Sequence, residues 1–111
     1  MKRGDIVFAD LSPAVGSEIN QRRPVPIVSN DANNRAASTV TVVPVTSNVN
    51  KVYPFEVALA GAESGLPKDS KAQAHQIRTI AKERITGAAV RRLQEEKMRA
   101  VDAALRLHLA L

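Results

Sequence analysis

Two short stretches hold residues whose types and spacing could act on a phosphate. The first is Gly16-Ser17-Glu18-Ile19-Asn20-Gln21-Arg22-Arg23-Pro24-Val25, a Gly/Ser/Asn loop running into an arginine pair and a proline that opens a strand. The second is Pro44-Val45-Thr46-Ser47-Asn48, where a β-branched run ends in hydroxyls. An arginine at the start of one strand and a hydroxyl at the end of another converge only if the strands are neighbours. Together they would hold a phosphate, because a guanidinium offers a planar fork of donors on a fixed charge. Nothing else in the chain concentrates chemistry in this way.

The elements that must position these stretches are mostly strands. Ile6, Phe8 and Asp10 mark a first strand of alternating character, and Leu11 to Gln21 is a loop punctuated by Pro13 and Gly16. Val25 to Val28 is a second strand, whose Pro24 and Pro26 suit a strand start, a bulge or an edge. Ser29 to Ser38, rich in Asn, reads as a loop. Thr39 to Val45 is β-branched almost throughout and reads as one strand. Val52 to Leu59 is a fourth strand, followed by a connection through Gly61, Gly65 and Pro67. Ser70 to Ile80 reads as one or two short strands with a bend, and Gly87 to Arg92 as a last strand.

The period then changes. Gln94 to Leu109 reads as an amphipathic helix with Glu95 and Glu96 in its favourable first turn. Glu95–Arg99 and Asp102–Arg106 fall at i,i+4 spacing. The other residues are largely apolar, more than one small sheet needs as cover, which makes an oligomer interface a second use for this face. The sum is a mainly β, α+β domain: a small SH3-like barrel or strongly bent antiparallel sheet with a C-terminal helix.

Composition narrows the class. A chain of 111 residues is expected to be one domain, and domains this small often gain stability by self-association. No apolar run approaches the length of a membrane span, and no secretory signal is visible, so a cytoplasmic protein fits. Cysteine is absent, which excludes disulfides and thiolate chemistry. The net charge of +5 fits either a solvated basic surface or a nucleic-acid partner. Only Phe8, Tyr53 and Phe55 are aromatic, so RNA bound here would be held by charge and hydrogen bonds more than by stacking.

Three blocks in order, RGDIVFADLSPAVGSEINQRRPVPIVSND, VTVVPVTSNVNKVYPFEV and KDSKAQAHQIRTI, resemble the MazF/PemK family of toxin endoribonucleases. The likeness runs from about Lys2 into the C-terminal helix. It implies a MazF/CcdB-like fold and the toxin of a type II toxin–antitoxin pair, a sequence-selective endoribonuclease (an mRNA interferase). It implies a homodimer that binds single-stranded RNA and a cognate MazE-like antitoxin along its interface. Arg23 falls where the family keeps its catalytic arginine, and Thr46 matches the active-site threonine. Gln76 resembles an RNA-contacting glutamine.

Beside these, Arg22 is a phosphate-contact candidate. Ser17 is placed to donate to a phosphate oxygen, although a turn serine needs no function. Asn20, Gln21, Asn34, Ser47, Lys51, Lys68, Lys71 and Arg78 adjoin the same segments, and their amides, hydroxyls and charges suit base edges and phosphates.

No Asp/Glu/His group has convincing metal-ligand spacing, and His75 and His108 form no obvious acid/base pair. The expectation is a reaction with no metal and no cofactor, in which the RNA's own 2′-OH attacks and leaves 2′,3′-cyclic phosphate and 5′-OH ends. Arginine is essentially always protonated and is a poor base, so Arg23 is assigned to charge stabilisation. Glu18 is the one nearby carboxylate that could take the 2′-OH proton, with water or Arg23 itself as the alternatives. Two other functions stay open. A CcdB-like toxin acts by protein contact and relies on a C-terminal tryptophan that this sequence lacks; an SH3-like nucleic-acid-binding module would have no need of both Arg23 and Thr46.

Overall fold

Strand β1 (Asp5–Asp10) is where both cores meet. Its alternation sends Ile6 into one apolar cluster and Val7 and Ala9 into another, so both faces are buried. The computed structural model describes residues 1–111. β2 (Arg22–Pro26) and β8 (Ile85–Arg92) flank β1 in one antiparallel sheet. β3 (Thr39–Val42) pairs with β7 (Arg78–Ala81) in a second, and β4 (Val45–Thr46), β6 (Ser70–Gln73) and β5 (Glu56–Leu59) form a third. Three small antiparallel sheets packed about two cores are a strongly bent β structure, as expected, but they do not close into a barrel.

The run from Thr39 to Thr46 is not one strand. It pairs with β7 as far as Val42, then with β6 from Val45. Pro44 stands at the break and has no N–H to continue a ladder. The opposing run breaks at the same level: β6 ends at Gln73, a 3₁₀ turn spans Ala74–Gln76, and β7 begins at Arg78. Gln73 N–H donates to the Pro44 carbonyl across this corner at 2.9 Å. The bend expected between Ser70 and Ile80 is therefore present, with a partner bend opposite it.

Two helical turns interrupt segments expected as loops. α1 (Asp31–Ala36) begins at Asn30, whose side chain accepts from Asn33 N–H at 2.8 Å, and carries Arg35 in its last turn. α2 (Gly61–Ser64) is one turn, closed by Gly65 in the left-handed region at φ 73°. β5 is shorter than the expected Val52–Leu59, since residues 52–55 lead into it as an exposed loop and turn.

α3 (Glu95–Leu109) caps the larger core with Met98, Val101 and Ala104. Glu95 pairs with Arg99 at 3.3 Å, as its spacing predicts. Asp102 does not pair with Arg106. It takes Arg3, whose Nε also donates to the Val28 carbonyl at 2.9 Å, and so ties the helix to the amino-terminal segment. A partner from another element fixes more of the fold than one a turn away.

Beneath the surface, Glu56 and Lys71 pair at 3.1 Å with side chains 1% and 9% exposed. Burial pushes the Glu56 carboxyl up, but bonds from Tyr53 N–H, Gln73 and Lys71 outweigh it and hold the group below its ordinary value. Removing one partner from such a pair strands the other charge, at a cost of about 3–5 kcal/mol. We expect Lys71→Ala to lower the melting temperature sharply and Lys71→Met with Glu56→Gln to recover much of the loss. Calorimetry showing no loss in Lys71→Ala would contradict this.

Candidate nucleic-acid interface

Antiparallel register places Arg23 opposite Ala9 and Arg22 opposite Asp10, at the open end of β2. β4 ends at Thr46 beyond the Pro44 corner. Arg22, Arg23, Val45, Thr46 and Ser47 line one cleft of about 220 Å³, together with Phe8, Pro24, Leu66, Pro67, Lys68 and Ser70. The arginine and hydroxyl donors of the two stretches thus converge.

Each donor is held while keeping something free. Arg23 Nε donates to the Asn20 carbonyl at 3.0 Å, and its terminal nitrogens make no bond within the protein. Arg22 Nε donates to Thr86 Oγ1 at 3.0 Å while its guanidinium lies 4.3 Å from the Phe8 ring centroid. Thr46 Oγ1 accepts from Asn48 N–H at 3.3 Å, which leaves its hydroxyl proton to donate. Ser47 and Lys68 are exposed on the rim. Phe8 and Ser70 also line the cleft, and short motifs do not mark them, since one comes from β1 and the other from the start of β6.

The rest of the expected set divides. Glu18 is not in this cleft. Its carboxylate accepts from Val15 N–H at 2.6 Å and faces a second cleft of about 230 Å³ with His75, Gln76 and Arg78. Ser17 is exposed in the loop, and its carbonyl accepts from Gln76 Nε2 at 3.2 Å. Gln76 Oε1 accepts from Ile19 N–H at 3.4 Å, so this side chain braces the loop with both ends of its amide. Arg78 donates to the Leu11 carbonyl at 2.8 Å.

Asn20 and Gln21 form the turn before Arg22, with Gln21 in the left-handed region at φ 69°. Lys51 is exposed, 4.7 Å from the Tyr53 ring centroid. Lys71, expected on the groove, is instead the buried partner of Glu56 and also donates to the Lys51 carbonyl at 2.6 Å. Its ammonium is taken up by these two bonds. Asn34 is likewise buried, bonded to Ser29.

The two histidines meet although they lie far apart in the sequence. Their ring centroids are 6.4 Å apart, and His75 packs edge-on against Phe55 at 4.5 Å. His75 Nδ1 is buried without a hydrogen-bond partner. Burial lowers its pKa below the ordinary 6.5, helped by His108 and Lys71 and opposed by Glu56. No three His, Asp or Glu side chains group to hold a metal ion.

The family model of the PemK-like, MazF-like toxins of type II toxin–antitoxin systems matches residues 2–109. The chain is 49% identical to the endoribonuclease MazF9 of Mycobacterium tuberculosis, across all of this chain and 98% of that protein. It is 43% identical to the endoribonuclease EndoA of Bacillus subtilis, across all of this chain and 96% of that one. Among solved structures, a mycobacterial endoribonuclease in complex with its cognate antitoxin superposes with a TM-score of 0.81 at 26% identity, covering all of this chain and 96% of that one. MazF from Deinococcus radiodurans shares the fold with a TM-score of 0.87 at 23% identity, over all of this chain and 97% of its own.

The half-buried His75, with its Nδ1 shut off from solvent, makes a pH prediction. Its folded pKa lies below 6.5, so in the window beneath 6.5 the unfolded chain binds a proton that the folded chain refuses. The stability of the neutral ring is therefore full above that value and falls as pH drops through it. Glu56 acts in a separate window, below its ordinary 4.5. Urea unfolding at about pH 7.5 and about pH 5.5, on either side of the ordinary histidine value, should show a loss in the parent that shrinks in His75→Gln. Equal losses in both would contradict the assignment.

Proposed function

The chain belongs to the PemK-like, MazF-like toxins of type II toxin–antitoxin systems and is an endoribonuclease, and from that premise we propose that it cuts single-stranded RNA at the Arg23–Thr46 cleft by attack of the substrate's own 2′-hydroxyl. The observation that carries this is the convergence of Arg22, Arg23, Thr46 and Ser47 on one cleft with no carboxylate or histidine among its lining residues. Such a site supplies positive charge and hydrogen-bond donors but no strong base.

The substrate's 2′-oxygen forms a bond to phosphorus and gives its proton to water. Negative charge builds on the non-bridging oxygens, where the free nitrogens of Arg23 and the hydroxyl of Thr46 meet it. The bond from phosphorus to the 5′-oxygen breaks. That departing alkoxide is more basic than an arginine and takes a proton from Arg23, which regains one from water. The ends left are a 2′,3′-cyclic phosphate and a 5′-OH. DNA has no 2′-OH and is spared.

Arg22 and Lys68 hold flanking phosphates, and Ser47 and Lys51 extend the track. The expected partner is an antitoxin with an acidic, flexible segment that folds along the same cations. A complex with cognate antitoxin is known for the mycobacterial endoribonuclease of the same fold. No helix is long and apolar enough to cross a membrane. A toxin that acts on RNA meets its substrate in the cytoplasm, and that is the compartment proposed for it.

The working unit is a homodimer. α3 uses Met98, Val101 and Ala104 inward but leaves Leu107 58% and Leu109 47% exposed, and edge strand β8 leaves Val90 41% exposed. A second copy would cover these. Light scattering at micromolar concentration should give twice the chain mass; a monomer would contradict the dimer.

Replacing either cleft donor tests the site. Arg23→Ala and Thr46→Ala should each slow cleavage of a mixed-sequence RNA about a hundredfold to a thousandfold with the fold intact. Arg23→Lys should recover little, because lysine lacks the fork. Near-parental cleavage by folded Arg23→Ala would move the site elsewhere.

A further inference from the structure

The Arg23 guanidinium carries no ion pair and is fixed by a single bond to the protein, from Nε to the Asn20 carbonyl. That carbonyl's direction is set by the turn it belongs to. Gln21, the next residue, sits in the left-handed region, which a non-glycine side chain adopts only when something holds it there. Ser12, on the other side of the loop, does the holding. Its hydroxyl oxygen accepts from Gln21 N–H at 3.0 Å and donates to Asn20 Oδ1. Asn20 Oδ1 also accepts from Gln21 N–H at 2.8 Å, and the Leu11 N–H donates to the Gln21 carbonyl at 2.9 Å.

Ser12 is in turn anchored from the 3₁₀ turn Lys82–Arg84 that precedes β8. Arg84 has no carboxylate partner, and its Nη1 donates to the Ser12 carbonyl at 2.6 Å and to the Asp10 carbonyl at 3.0 Å. The Asp10 carboxylate accepts from Ser12 N–H at 2.9 Å. A cation applied to two carbonyls in a largely exposed loop is a fixed point. From it a continuous chain of hydrogen bonds runs Arg84, Ser12, Asn20–Gln21, Arg23.

We propose that Ser12, held by Arg84, is a positioning residue for the reaction: it locks the Asn20–Gln21 turn and thereby aims the Arg23 fork at the phosphate. Asn20 then serves the site through its backbone carbonyl and does not read bases. This rests on the reading of Arg23 as the phosphate donor. Loss of the hydroxyl releases the turn, and Arg23 keeps its charge but loses its direction. Affinity for RNA, which comes from several cations, changes little, while the rate of the bound complex falls.

The test is Ser12→Ala in the full chain, free of antitoxin, on a mixed-sequence single-stranded RNA under single-turnover conditions. The rate of the bound complex should fall about threefold to tenfold, the size expected for one orienting hydrogen bond, with half-saturation within about twofold of the parent. Ser12→Thr, which keeps the hydroxyl, should recover most of it.

In an Arg23→Ala background, Ser12→Ala should cause no further loss, because the two act as one unit. The Arg23 Nε–H resonance, assigned by its absence in Arg23→Lys, should shift and exchange faster in Ser12→Ala. If Ser12→Ala does not fold, Arg84→Gln carries the same test from the other end of the chain. Parental rate and an unmoved resonance in Ser12→Ala would overturn the proposal, as would a full loss persisting beside Arg23→Ala. A fully active Arg23→Ala would overturn the underlying reading of the cleft instead, so the two failures are distinct.

Discussion

Two strand runs, Thr39–Thr46 and Ser70–Ala81, leave one sheet and enter another at the same level, and a single bond from Gln73 N–H to the Pro44 carbonyl spans that corner. Proline has no N–H, so the ladder cannot pass straight through, and the chain must change partners. Where the corner falls decides where Thr46 and Gln76 stand. Beyond it, Thr46 is carried to the cleft that β2 opens with Arg22 and Arg23. On the opposing run, the 3₁₀ turn presents Gln76 to the β1–β2 loop, which it clamps at Ser17 and Ile19.

The second organising fact is how the cations are used. Lys71 is buried against Glu56, Arg3 holds Asp102, and Arg78, Arg84 and Arg91 donate to backbone carbonyls. A net charge of +5 therefore says little by itself about RNA contacts. Arg23 and Lys68 line the cleft of Thr46 and Ser47, and their terminal nitrogens make no bond within the protein. Arg22 is intermediate, steered by Thr86 and Phe8 but open to a phosphate. A surface of this kind binds anions through few, well-aimed groups, and catalysis draws on their aim more than on their number.

Much of this was legible in the sequence, and the exceptions have physical reasons. The β1 alternation and the period of α3 are local patterns, and each element forms where its pattern lies, whereas β2 runs Arg22–Pro26 instead of the expected Val25 to Val28, with Ile27 left to a single bridge with Val42. The Arg23–Thr46 convergence followed from two strand ends and a family likeness. The break at Pro44 did not, because Thr39–Val45 is almost uniformly β-branched and propensity carries no record of which partner a strand has. α1 escaped notice because six residues hold less than two turns, too few for a periodic signal, although Asn30, Asp31 and Arg35 were its cap and end charges. Lys71 was placed on the RNA side by type and neighbourhood, whereas its burial against Glu56 is a tertiary fact. The Ser12–Asn20 contact joins residues across a loop that no spacing rule would pair.

The central claim is that the cleft itself holds the reacting phosphate while the RNA supplies its own nucleophile. The most direct measurement is cleavage, in excess EDTA, of one RNA made with ribose or with 2′-deoxyribose at the scissile position, with the product ends identified by mass spectrometry. The account predicts cutting of the all-ribose strand alone, with a 2′,3′-cyclic phosphate on one fragment and a 5′-OH on the other. Cleavage of the 2′-deoxy strand, or a 5′-phosphate on the product, would contradict it.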